Sequence, residues 1–221
     1  MTGFIFDMDG CLLDSIKAWH AVDQRLCASA GITLSKEERD KLSTLTLPEA
    51  AVWFHERFGI MESGEEVIKT MSAFLLEFYQ TEVEANPGAI EFVRALHDAG
   101  APLCVLSSSP QAFLQAGLAH AGLKKFFPND DFVISAEDRG WAKRKPETFE
   151  KVCALMGTQP ADTWLFDDSW YAPASAREVG LHAVGVFSSD LCGSHEELAR
   201  HCDMVVDDFT GLDPAEFLRN A

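Results

Sequence analysis

An apolar segment that runs directly into two acids and a glycine constrains this sequence more than any other feature. Residues Phe4 to Phe6 are apolar, and Asp7, Asp9 and Gly10 follow them. The apolar run predicts a short buried strand, and Gly10 indicates that the backbone turns immediately after it. Both acids are therefore expected at the carboxyl end of a strand, where open α/β sheets bind ligands. Two carboxylates this close repel each other, and a hard cation such as Mg2+, which takes oxygen ligands, would relieve the repulsion.

The same residues also have a plainer interpretation, because Asp-Gly pairs such as Asp9-Gly10 are common in turns. Residues 7–10 alone do not decide between an ordinary turn and a metal site. The remaining strand ends of the chain are needed to distinguish the two.

Alternating strand and helix patterns predict an α/β fold for most of the chain. Strands are predicted at residues 4–6, 103–106, 131–134, 163–166, 182–186 and 204–206. Helical patterns separate the later strands, which predicts a Rossmann-like, doubly wound parallel sheet with helices on both faces. Residues 15–84 instead contain four helical patterns and no convincing strand, so they are predicted to form a helical insert. The predicted core domain comprises residues 1–14 and 85–221.

Hydroxyl groups follow the strand predicted at residues 103–106. Ser107 and Ser108 come directly after it, just ahead of a helix that opens at Pro110. Hydroxyls in this position can bind a phosphate oxygen, and free backbone N–H groups at the helix start would add to the binding. Ser109, in the same run, has the plainer interpretation of a helix cap.

A second pair of acids follows the strand predicted at residues 163–166. Asp167 and Asp168 come directly after this apolar run, as Asp7 and Asp9 do after the first strand. Because the carboxyl ends of parallel strands meet at one edge of a sheet, the two acidic pairs are expected to lie close together.

The string FDMDGCLLDS at residues 6–15 resembles the first motif of the haloacid dehalogenase-like (HAD) hydrolase superfamily, hhhDxDGxhxDS, in which h is a hydrophobic residue. The resemblance predicts further motifs in order. Ser107 fits the serine or threonine that follows the second strand, and Asp167-Asp168 fits the later acidic motif. A helical insert between the first two motifs is the layout of the C1-cap subgroup, which includes phosphoglycolate phosphatase-like enzymes and β-phosphoglucomutase. Residues 15–84 are therefore interpreted as a helical cap domain.

The lysine motif of this superfamily, KPxPDxF, can be placed on the sequence in two ways. Matching its first Lys-Pro pair selects Lys145, whereas overlaying KRKPETF without a gap selects Lys143. Three positions support Lys143 and one supports Lys145, so Lys143 is preferred, although Arg144 stands where the motif has its first proline. Without the resemblance, a solvated basic loop is the expected interpretation.

The resemblance implies a Mg2+-dependent phosphatase that acts on a small phosphorylated metabolite. Asp7 is implied as the nucleophile that forms an aspartyl-phosphate, and Asp9 as the general acid and base. The implied phosphate-binding residues are Ser107, Ser108 and Lys143. The implied metal ligands are Asp7, Asp9 through its backbone carbonyl, Asp167 and Asp168.

Two other functions remain open beside the phosphatase. One is a phosphomutase of the β-phosphoglucomutase type, which the resemblance disfavours because that mutase has a histidine where this chain has Trp19. The insert also carries more acids than bases, which suits a second phosphate poorly. A regulatory or binding protein is the weaker alternative, because every catalytic position is filled. A dehalogenase is disfavoured because those enzymes lack the acid equivalent to Asp9.

The composition limits the partners that the chain is expected to have. Its net charge of −17 argues against nucleic acids and anionic membranes as partners. No apolar run reaches the length of a membrane span, and no secretory signal pattern is present. The six cysteines form no CxxC pair, so reduced thiols and a cytoplasmic location are expected. No pattern indicates an oligomeric state.

Overall fold

The computed structural model describes residues 1–42, 45–188 and 194–219, and within them six strands form one sheet. The strands are β1 (Gly3–Phe6), β2 (Leu103–Ser107), β3 (Val133–Ser135), β4 (Thr163–Asp167), β5 (His182–Val186) and β6 (Met204–Val206). They lie in the order β3-β2-β1-β4-β5-β6, and every neighbouring pair is parallel. The strand order reverses between β1 and β4, so the predicted doubly wound α/β fold is confirmed.

The helices of the described residues divide between two compact units. The helices are α1 (Ile16–Ala30), α2 (Lys36–Leu42), α3 (Leu47–Phe58), α4 (Gly64–Thr81), α5 (Ala89–Asp98), α6 (Gln111–His120), α7 (Pro146–Met156), α8 (Tyr171–Glu178), α9 (His195–His201) and α10 (Pro214–Arg219). One unit, here called the sheet unit, comprises Met1–Ser15 and Val83–Ala221. The other, here called the helical unit, is Ile16–Glu82 and contains α1 to α4.

Side chains of β1 alternate between the two faces of the sheet, and both faces are buried. Phe6 stacks on Phe166 of β4 with their ring centroids 5.1 Å apart. Ile5 belongs to a separate core cluster that also includes Cys104 and Leu165. A central parallel strand needs an apolar residue at every position because helices cover both faces. This requirement explains why the first strand is an unbroken apolar run rather than an alternating one.

The third strand differs from its prediction over residues 131–134. The segment Asp130–Phe132 is a short 3₁₀ helix, and β3 begins only at Val133. The side chain of Asn129 accepts a hydrogen bond from the backbone N–H of Asp131 at 3.0 Å. This cap supplies the polar backbone with a partner and favours a tight turn over extension of the strand.

Cysteines in the described residues are buried free thiols: Cys11, Cys27, Cys104, Cys153 and Cys202. None of the helices described is both long enough and apolar enough to cross a membrane.

Candidate active site

The carboxyl ends of β1, β2 and β4 bring the predicted residues to one edge of the sheet. Phe6, the last residue of β1, pairs with Phe166 of β4. Asp7 follows and donates its backbone N–H to the carbonyl of Phe166 at 2.8 Å. Asp167 is the last residue of β4, and Ser107 is the last residue of β2. The strand register therefore sets Asp7 level with Asp167, and Ser107 one residue further along the neighbouring strand.

Three carboxylates form a compact group at this edge. One oxygen from each of Asp7, Asp167 and Asp168 lies within 4.8 Å of the others, and all three residues are buried. Carboxylate oxygens are the ligands that Mg2+ prefers in proteins, so this donor set fits a hard divalent cation. Burial without such a cation would leave the like charges poorly compensated.

Lys143 supplies the positive charge that faces two of these acids. Its ammonium lies 2.7 Å from Oδ1 of Asp7 and 2.7 Å from Oδ2 of Asp167, and the side chain is only 3% exposed. The three carboxylates and one ammonium carry a formal charge of −2 together. A divalent cation would neutralise that charge.

Burial and neighbouring charges shift the protonation of Lys143 and Asp7. Burial opposes the charged form of Lys143, but the carboxylates of Asp167 and Asp7 outweigh it and raise the pKa of the ammonium. Burial raises the pKa of Asp7 well above its usual range, Lys143 opposes that rise, and the nearby carboxylates add to it. The ionised form of Asp7 therefore depends on positive charge placed beside it.

The two candidate lysines occupy different environments. Lys143 is buried against the acids, whereas Lys145 is exposed and takes the N-cap position of α7, which begins at Pro146. Arg144, between them, is exposed and has its guanidinium 3.9 Å from the ring centre of Tyr171. The position where the family motif has a proline is thus used for a cation–π contact.

Asp9 follows Asp7 by two residues, but its carboxylate is held by hydroxyl groups. Ser15 Oγ donates to Oδ1 at 2.6 Å, and Ser109 Oγ donates to Oδ2 at 2.6 Å. Ser107 Oγ makes a longer contact of 3.4 Å with the same Oδ2. The predicted role of Asp9 as a metal ligand through its backbone carbonyl stays a prediction.

Gly10 allows the loop after β1 to approach Asp168 closely. Its φ is +72°, in the left-handed region that favours glycine. A Cβ atom at this position would lie 2.1 Å from Oδ2 of Asp168, an oxygen that also accepts a hydrogen bond from Ser188 Oγ at 3.0 Å. Both the backbone angle and the space therefore require glycine.

Two of the backbone N–H groups that were expected to be free near the start of α6 have partners in the structure. The N–H of Ser109 donates to Ser107 Oγ at 3.1 Å, and the N–H of Gln111 donates to a carboxylate oxygen of Asp138 at 2.9 Å. Ser107 is buried and Ser108 is exposed at the end of β2. Ser109 does not cap α6: Pro110 takes the N-cap position, no side-chain hydrogen bond caps the helix, and the hydroxyl of Ser109 donates to Asp9.

Several polar partners of the site were not predicted. Ser169 donates both its N–H and its hydroxyl to Oδ1 of Asp167, at 2.9 and 2.6 Å. Ser188 follows β5 by two residues and reaches Asp168. The side-chain Nδ2 of Asn86 donates to the backbone carbonyl of Gly10 at 3.1 Å. The first two follow strand ends, which was a usable signal, whereas nothing in the sequence around Asn86 indicated its contact.

Residues 4–186 of the chain match the family model of the haloacid dehalogenase-like hydrolases. The chain is 30% identical over 194 residues to fructose-1-phosphate phosphatase YqaB of Escherichia coli strain K12, covering 83% of this chain and 95% of that protein. It is 26% identical over 184 residues to hexitol phosphatase B of the same strain, covering 82% of each.

A solved structure with a similar fold is a putative β-phosphoglucomutase from Thermotoga maritima. The TM-score is 0.76 at 22% sequence identity, covering 99% of this chain and 97% of that chain. At this identity the likeness shows the fold alone.

Proposed function

This chain belongs to the haloacid dehalogenase-like hydrolases, and from that membership we propose that it is a Mg2+-dependent phosphatase acting on a small phosphate monoester. The observation that supports this most is the meeting of Asp7, Asp167 and Asp168 beside the buried ammonium of Lys143. Such a cluster can hold a hard divalent cation and the negative charge of a phosphoryl group side by side.

Hydrolysis proceeds in two displacements on the phosphorus atom. A carboxylate oxygen of Asp7 attacks phosphorus, the ester P–O bond breaks, and the departing alcohol oxygen takes a proton from Asp9. Water then attacks the aspartyl-phosphate and gives its proton to Asp9, and the bond between phosphorus and Asp7 breaks. Inorganic phosphate and the original carboxylate are regenerated.

The remaining site residues bind and orient in this proposal. Lys143, Ser107 and Ser108 contact the phosphoryl oxygens. Asp7, Asp167, Asp168 and the backbone carbonyl of Asp9 would hold the metal. When bound, Mg2+ would offset the carboxylate charge and polarise a phosphoryl oxygen. The helical unit takes the role of a cap domain that limits the access of water during the first step.

The substrate class follows from the curated relatives rather than from the site. Their names describe phosphatases of fructose 1-phosphate and of hexitols, so a small sugar or polyol phosphate is proposed as the substrate. Release of inorganic phosphate should be measured across sugar phosphates, polyol phosphates, phosphoglycolate, nucleotides and pyridoxal phosphate, with Mg2+ and with excess chelator.

The matched control in that screen is Asp7→Asn, which keeps the size of the side chain and removes the nucleophile. We expect Mg2+-dependent release of phosphate from at least one compound, and a loss of about 10³-fold or more in kcat for Asp7→Asn. Circular dichroism should show that the variant is folded. Turnover that persists in Asp7→Asn, or that is unchanged by excess chelator, contradicts the proposal.

A further inference from the structure

The carboxylate of Asp9 is oriented by short hydrogen bonds to both of its oxygens. Ser15 holds Oδ1 and Ser109 holds Oδ2, each at 2.6 Å. Ser107, the residue that the motif assigns to phosphate, contacts Oδ2 at only 3.4 Å. The short contact to the second oxygen therefore comes from Ser109, a residue outside the motif positions.

The loop that carries Ser109 is itself fixed at both ends. The N–H of Ser109 donates to Ser107 Oγ at 3.1 Å. Two residues later, the N–H of Gln111 donates to Asp138 at 2.9 Å, which ties the start of α6 to the loop after β3. Ser109 is 7% exposed, so little water competes for its hydroxyl. A donor held this firmly can fix the direction of an acceptor as well as satisfy it.

We infer that Ser109 is a positioning residue, which holds the carboxyl group of Asp9 in line with the leaving oxygen of the substrate. This inference rests on the function proposed above, in which Asp9 gives a proton to that oxygen. The hydroxyl of Ser109 donates to the carboxyl group of Asp9, so Ser109 acts through Asp9 rather than on the phosphorus atom. Loss of its hydroxyl should therefore harm proton transfer and leave attack by Asp7 in place.

Two aryl phosphates of nearly the same shape separate these steps. Phenyl phosphate releases a strongly basic phenolate and needs a proton, whereas p-nitrophenyl phosphate releases a weakly basic nitrophenolate that leaves without one. The ratio kcat/KM depends only on the steps up to departure of the leaving group, so the rate of hydrolysis of the aspartyl-phosphate does not affect it. For Ser109→Ala we expect kcat/KM to fall about 10-fold or more with phenyl phosphate, and less than about 3-fold with p-nitrophenyl phosphate.

Three further variants keep the test decisive. Ser109→Cys fills nearly the same space with a weaker donor and should shift the ratio of the two kcat/KM values in the same direction. Ser109→Thr keeps the hydroxyl and should restore the ratio to within about 3-fold of wild type. Ser175→Ala removes a serine of similar burial from α8 and should leave the ratio unchanged.

The outcomes separate this inference from the function on which it rests. Equal losses with both aryl phosphates in Ser109→Ala and Ser109→Cys, or no loss with either, would overturn the role of Ser109 while leaving the phosphatase standing. A wild-type protein that in the presence of Mg2+ hydrolyses neither the aryl phosphates nor any compound of the screen above would overturn the proposed function, and the role of Ser109 together with it.

Discussion

Lys143 illustrates how one side chain can serve both the fold and the chemistry of the site. Its ammonium lies 2.7 Å from an oxygen of Asp7 and 2.7 Å from an oxygen of Asp167. Removing one partner of a buried ion pair leaves the other charge without compensation. We therefore expect Lys143→Ala to lower the free energy of unfolding by about 3 to 5 kcal/mol in metal-free buffer, and to abolish phosphatase turnover.

The matched control for this substitution is two residues away. Lys145 is exposed, so Lys145→Ala should change the free energy of unfolding by less than about 0.5 kcal/mol and preserve turnover. Urea denaturation and phosphate release measure both properties. Lost activity in Lys145→Ala together with near-normal activity in Lys143→Ala would reverse the assignment.

Residues that follow strands could be predicted from the sequence, and residues that reach the site from elsewhere could not. Asp7, Asp167 and Ser107 come directly after or at the end of apolar runs, so the location of each is a local property. The contact of Ser109 with Asp9 joins residues 100 positions apart. It depends on how a loop turns after β2, and the local pattern favoured a helix cap instead.

At the scale of elements, β1 and β4 each deliver acids to the cluster of Asp7, Asp167 and Asp168. Because this group is assembled only when both strands pair, a metal that binds it stabilises the folded state. We expect Mg2+ to raise the midpoint of thermal unfolding, with a gain of about 2.7 kcal/mol when its concentration is 100-fold above Kd. Asp168→Asn should reduce the shift strongly. A melting curve that does not respond to Mg2+ would argue against this metal site.

Helix α1 contains an acid whose ionisation opposes folding. Burial raises the pKa of Asp23 from its ordinary value of 3.8 to about 6. Between these two pKa values the folded state binds more protons than the unfolded state, so stability falls as the pH rises through that window and stays reduced above it. Each unit of pKa difference corresponds to about 1.4 kcal/mol.

Substituting this acid tests the sign of that effect. We expect Asp23→Asn to raise the free energy of unfolding by about 1 to 3 kcal/mol at pH 7.5 and to change it little at pH 4. Urea denaturation at both pH values measures the difference. A substitution that destabilises the protein at pH 7.5 would mean that the carboxylate of Asp23 has a favourable partner in the folded state.

Element types were easier to predict than element ends. Hydrophobic runs located all six strands of the described sheet, because a parallel strand buried on both faces needs them. The start of β3 was predicted two residues too early. A single hydrogen bond, which the side chain of Asn129 accepts from the backbone N–H of Asp131, favours the turn at that boundary. The hydrophobic pattern on which the prediction relied does not reveal such a contact.

At the scale of the whole molecule, a net charge of −17 accompanies a proposed anionic substrate. The overall field therefore repels the substrate, and attraction has to come from local charge. Within the sheet unit, Lys143 and the proposed Mg2+ provide that charge at one point. A phosphatase needs one such site of positive charge, whereas a phosphomutase that holds a bisphosphate needs a second site for the second phosphate.

The helical unit is poorly suited to provide a second site of positive charge. Residues 16–82 contain 11 acids against 7 Lys and Arg. Two of these cations already have partners within the unit, although both are exposed: Arg25 lies 3.8 Å from the ring centre of Phe74, and Arg57 pairs with Glu38 at 3.2 Å. Trp19, which replaces the histidine of the mutase type, donates its Nε1–H to Tyr79 Oη at 3.1 Å.

We therefore expect the phosphoryl group on Asp7 to be transferred to water rather than to a second sugar hydroxyl. A mutase has to protect its aspartyl-phosphate from water until a sugar phosphate binds again, and that protection requires binding energy for the second phosphate. Incubation with β-glucose 1-phosphate and a trace of glucose 1,6-bisphosphate should release inorganic phosphate without accumulation of glucose 6-phosphate. With p-nitrophenyl phosphate as the donor, inorganic phosphate and nitrophenol should form in equal amounts, and added glucose 6-phosphate should not change that ratio. Accumulation of glucose 6-phosphate in the first assay, or loss of inorganic phosphate relative to nitrophenol in the second, would show that the phosphoryl group passes to sugar and that the protein is a mutase.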